Sequence, residues 1–166
     1  MIGAGALSHR GWASDSTGGV GRFSIFIEGL TREAARHLER AQSLSSGREA
    51  VLEDMNAFAQ ACAASDWDGY GANPISARTL WYAQKLVKAL PTGVSMPTVG
   101  AEPDGDLTLE WYHNPNWVLS VSVSPEGTLN YAASLGPDND SPHGSVPFLG
   151  QVPDEILRII ERVDRQ

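Results

Sequence analysis

Two carboxylates stand one residue apart in Asp66-Trp67-Asp68-Gly69-Tyr70-Gly71-Ala72. Paired oxygen donors beside a glycine turn are one ingredient of a cation loop, because a hard cation gathers several oxygens at short range. The other ingredients are missing: Tyr70 and Ala72 hold the next alternate positions, and no closing Glu follows at the required spacing. No metal and no cofactor is therefore expected. Instead, Asp66 or Asp68 is expected to accept turn hydrogen bonds, Gly69 and Gly71 to supply positive φ, and Trp67 and Tyr70 to wedge between helix and sheet. Trp67, Asp68, Gly69, Tyr70 and Gly71 are read as a structural joint.

The four histidines are His9, His37, His113 and His143. His113 and His143 fall in turn or loop positions, so a small hydrolase using one of them with a carboxylate is one reading of the chain. No catalytic residue is assigned, because the sequence has no nucleophile elbow, phosphate-binding glycine loop, His-Glu-x-x-His or dinucleotide fingerprint. Cys62, the single cysteine, lies on an apolar helical stripe and is read as core packing in a reducing, cytoplasmic setting. No apolar run is long enough for a membrane span, and the N-terminus lacks the pattern of a signal peptide.

Charge is the strongest bulk signal. The net charge is −8 and the isoelectric point about 4.8, which argues against direct binding of nucleic acid through its phosphates. The imbalance is local: basic and acidic residues cancel up to Lys88, whereas residues 89–157 contain no Lys or Arg. The acids there include Glu102, Asp104, Asp106, Glu110, Glu126, Asp138 and Asp140. A surface of one sign attracts a basic partner, including a nucleic-acid-binding protein whose groove it would occupy in place of phosphates. These acids and Tyr112 form the expected partner-binding set. The plainer reading of the same charge is solubility.

Positioning these residues requires a helical half and a sheet half. Residues 1–22 are glycine- and serine-rich and read as a flexible arm, followed by one α+β domain over residues 23–166. Its helical half, residues 23–92, opens with a short strand at Phe23–Ile27 and a helix from Thr31. A second helix carries Val51, Met55, Phe58 and Cys62 on one face. Pro74 starts a third, which Pro91 and Gly93 stop. In the acidic sheet half, residues 93–166, the period changes to two. Leu107, Leu109 and Trp111, then Trp117, Leu119, Val121 and Val123, then Leu129, Tyr131, Ala133 and Leu135 mark three strands, joined by the turns at His113-Asn114-Pro115-Asn116 and Pro125-Glu126-Gly127 and preceded by the turn at Pro103-Asp104-Gly105. Residues 97–101 add a fourth on the outside, residues 136–150 read as an irregular loop, and Pro153 begins a last amphipathic helix. The expected fold is thus N-terminal helices, a three- to four-stranded antiparallel meander and a C-terminal helix packed on the sheet.

The Trp67-Asp68-Gly69-Tyr70-Gly71-Ala72 run, with the Pro74 helix, the Leu90-Pro91 stop and the Glu110-Trp111 strand, resembles a group of small uncharacterised acidic bacterial and phage-borne proteins. In type, such proteins are similar to antitoxins, immunity proteins and phage inhibitors of host defence such as anti-CRISPRs. The resemblance covers roughly residues 66–135 and implies a recurrent module without assigning a catalytic residue. The resulting expectation is a non-enzymatic binding protein that occupies a basic surface of a partner protein, with the hydrolase and a dimeric chaperone-like scaffold as alternatives.

Overall fold

A computed structural model describes residues 47–137 and 140–166, all within the unit Arg40–Gln166. The arm, the strand at residues 23–27, the helix from Thr31, His9, His37 and Asp138 lie outside the described residues. Helix α1 covers residues 47–61 and α2 runs Ala77–Ala89. Strands β1 (Thr98–Ala101), β2 (Leu107–Asn114), β3 (Trp117–Val123), β4 (Thr128–Leu135) and β5 (His143–Pro147) follow, and α3 (Asp154–Asp164) closes the chain. The fold is α+β, as expected.

The sheet is antiparallel throughout, in the order β1-β2-β3-β4-β5. It has five strands among the described residues where three to four were expected. The additional strand is β5, within the stretch read as loop. Gly144 and Pro147 are poor strand formers in isolation, but both are accommodated here. Pro147 lies at an edge, where a missing N–H costs no ladder bond inside the sheet. Gly144 pairs with Tyr131, and the Tyr131 ring lies so close that a Cβ on residue 144 would stand 2.9 Å from its Oη.

Alternation in β2, β3 and β4 sends Leu107, Leu109 and Trp111, Leu119, Val121 and Val123, and Leu129 and Tyr131 into one buried layer. Helix α3 lies against β2, β3 and β4, placing Ile156, Ile159, Ile160 and Val163 in that layer, and the Tyr131 hydroxyl donates to Glu155. From α2 come Ala83, Leu86 and Val87, and from the α1 segment Val51, Met55 and Cys62. Burial pushes the Cys62 thiol up, as suits a residue packed in the core. Phe58, expected on the buried face of α1, lies on the flank of the Val51–Met55–Cys62 stripe and is exposed.

Helix α2 begins later than the Pro74 signal suggests. Ser76, in extended backbone, is the N-cap, its hydroxyl accepting from the Thr79 N–H at 3.0 Å, so Pro74 and Ile75 precede the helix. No helix among the described residues is long and apolar enough to cross a membrane.

Candidate functional site: an acidic end of the sheet

In a meander, alternate turns fall at the same end of the sheet. The β1–β2 and β3–β4 connections are therefore neighbours, and their sequences are built alike: Glu102-Pro103-Asp104-Gly105-Asp106 and Ser124-Pro125-Glu126-Gly127-Thr128. In each, proline presets the second position and glycine takes the left-handed fourth, with φ +94° at Gly105 and +80° at Gly127. Gly105 N–H donates to Glu102 O and Gly127 N–H to Ser124 O, at 3.0 and 3.1 Å. Glu102 N–H to Asp106 O and Ser124 N–H to Thr128 O close both turns at 3.0 Å. Each turn therefore presents an exposed acid at its third position, Asp104 in one and Glu126 in the other.

Between these tips the charges repel. Asp106 is only 7% exposed, and burial, reinforced by Asp104, Glu102 and Glu126, raises its pKa from 3.8 to about 6. The Glu102 carboxylate is held in place by the Thr108 and Ser122 hydroxyls, which donate to it from β2 and β3. Among the described residues, none of these four acids is ion-paired with Lys or Arg. Hydrogen bonding and turn geometry thus keep four carboxylates together, with no compensating Lys or Arg among the described residues.

The joint segment is fastened to this end of the sheet. Asn73 N–H donates to Pro103 O at 2.8 Å and Asn73 Nδ2 to Asp104 O at 3.3 Å. A Cβ on Gly105 would come within 3.0 Å of Pro74 O, so glycine permits the close approach as well as the turn. The segment is internally braced: Asp66 Oδ1 accepts from Gly71 N, and Asp68 Oδ1 accepts from both Tyr70 N and Ala72 N, at 2.6, 2.8 and 3.1 Å. Asp66 itself has φ +63°, stabilised within this network. Trp67 is half-buried and its Nε1 donates to Asn73 O at 2.9 Å. Tyr70, expected as a second wedge, is 94% exposed because the loop turns it outward at its tip. Among the described residues, no group of three or more His, Cys, Asp or Glu could hold a metal ion.

The remaining members of the expected set are spread out. Glu110 and Tyr112 lie further along β2, lining a groove at the β1 edge with Ser95 and Asp164. Asp140 is not a free acid: Arg162 of α3 pairs with it at 2.7 Å. The pairing arises because α3 returns cations to the side of a stretch that has none of its own. His113 and His143 lie on β2 and β5, three strand positions apart, which is roughly 14 Å. Among the described residues, neither has a carboxylate oxygen within 4.0 Å. Sequence reasoning missed the attachment of the joint to the acidic end, which is made through Asn73. It also missed Ser95 and Asp164, which are 69 residues apart and meet through a hydrogen bond.

Comparison of the chain with family models, with curated proteins and with solved structures gives no match.

Proposed function

We propose that the chain is a non-enzymatic binding protein that occupies a basic surface of a partner protein, in the manner of an antitoxin, an immunity protein or a phage anti-defence inhibitor. The observation that carries this reading is the pair of like-built turns. They hold Glu102, Asp104, Asp106 and Glu126 together against mutual repulsion, beside a braced loop that exposes Tyr70. An arrangement that opposes stability is expected where binding requires it. The carboxylates supply long-range steering, and an exposed tyrosine on a braced loop is a residue type enriched among binding hot spots. A nucleic-acid-handling protein has the positive surface that such a site complements.

The test uses the chain as immobilised bait in a host extract, followed by association kinetics with the captured partner over a range of ionic strength. The expected partner is basic, and association slows as salt rises. The Asp104→Lys and Glu126→Lys double variant should bind more slowly with a weaker salt dependence. An on-rate indifferent to both salt and charge reversal, with the variant folded by circular dichroism, would remove the proposal.

A further inference from the structure

Strand β1 begins at Thr98, opposite Glu110, so the second half of β2 continues beyond the end of its edge partner. The chain before β1 bends away to α3. There Ser95 N–H donates to Asp164 Oδ2 at 3.1 Å, the Ser95 hydroxyl donates to Oδ1, and Trp111 Nε1 donates to Ser95 O at 2.9 Å. The space left at the sheet edge is a groove of about 420 Å³. Its volume lies within the range of small-ligand sites.

The groove is lined by two carboxylates, and His113 is the one basic side chain among its lining residues. Glu110 enters from the outer face of the sheet and Asp164 from the end of the helix that covers the other face, so two carboxylates border one cleft. Among the described residues, no donor is bonded to the Glu110 carboxylate. Asp164 keeps acceptor capacity, because its two oxygens offer about four lone-pair sites and Ser95 uses two. Tyr112, 58% exposed, presents an aromatic surface in the same lining. Carboxylates with an aromatic face suit a guanidinium, which is planar, carries five donors in a fork and stacks on rings. An ammonium offers a point charge with fewer directed donors.

We propose that this edge groove, between Glu110, Tyr112 and Asp164, receives an arginine side chain of the basic partner. The inference rests on the reading of the chain as an acidic binding protein and specifies a contact distinct from the turns at the sheet end. Arginine is the occupant favoured by charge complementarity, and the groove supplies side-chain selectivity where the turns supply steering.

The test is a ¹⁵N-NMR titration of the full chain with N-acetyl-arginine amide, with N-acetyl-lysine amide and the neutral isostere N-acetyl-citrulline amide as comparisons. The arginine probe should shift the Trp111 indole N–H and the amides of Ser95, Tyr112 and His113, more strongly than lysine and far more than citrulline. Glu110→Gln should weaken the arginine titration about tenfold or more, as expected for loss of a charge-assisted pair. The Asp104→Lys and Glu126→Lys variant should leave it unchanged. Equal shifts from citrulline, no shifts at these positions, or a titration insensitive to Glu110→Gln would overturn the groove assignment. If basic-partner binding still depends on the turns while the groove fails, only this inference falls; if arginine titrates the groove but the turns have no salt-dependent partner, the wider reading falls.

Discussion

Replacing Asp106 by asparagine should stabilise the fold near neutral pH and leave it almost unchanged in acid. Asp106 is buried among Glu102, Asp104 and Glu126, and its pKa rises from 3.8 to about 6 in the folded chain. Below the lower value both folded and unfolded chains hold the proton, so no penalty exists. As pH climbs between the two values, the unfolded chain releases its proton first and folding loses free energy. Above the upper value the full cost is present. At about 1.4 kcal/mol per tenfold change, the interval corresponds to about 3 kcal/mol. Solvent and salt screen charges at a surface turn, which reduces the expected effect to about 1–2 kcal/mol. The isosteric amide removes the charge and keeps the shape. Urea unfolding of both proteins at about pH 3.5 and about pH 7.5 should therefore give a difference below about 0.5 kcal/mol in acid and about 1–2 kcal/mol in favour of Asp106→Asn near neutrality. In a thermal scan at neutral pH the gain corresponds to about 2–8 °C. A difference that does not change with pH would refute the electrostatic account of the acidic end.

Three further outcomes follow from local geometry. Ser76→Ala should cost about 1 kcal/mol in urea unfolding, because the Thr79 N–H loses its cap at the start of α2. Gly127→Ala places a Cβ 2.7 Å from the Tyr82 ring at φ +80°, so it should cost about 2 kcal/mol or more; a double-mutant cycle with Tyr82→Ala should recover the steric part and leave the about 1–2 kcal/mol of left-handed backbone strain. Trp67→Ala should cost about 2 kcal/mol, combining partial loss of apolar burial with loss of the bond to Asn73 O, and should lower the melting temperature before it alters partner binding. A Trp67→Ala chain that melts like the parent yet fails to bind would move this residue from support to contact.

The sequence by itself determined the α+β class, the meander of β2, β3 and β4, the two Pro-acid-Gly turns and the restriction of the charge imbalance to residues 89–157. Each of these is a local signal: period-two alternation, turn residues whose backbone preferences are intrinsic, and composition. Only the tertiary structure decided where the acids meet. Glu102, Asp104, Asp106 and Glu126 converge because alternate hairpin turns share one end of the sheet, whereas Asp140 is offset by Arg162 from a helix further along the chain. Strand β5 was hidden for the same kind of reason, since Gly144 and Pro147 weaken a strand locally and are accommodated by the Tyr131 ring and the edge position. Tyr70 was equally illegible: its outward direction is set by the Asp66 and Asp68 bonds and by the anchorage of Asn73 to the β1–β2 turn, contacts whose partners the local pattern does not name. Alternation and turn chemistry act over a few residues, while the meeting of charges depends on which distant segments pack together.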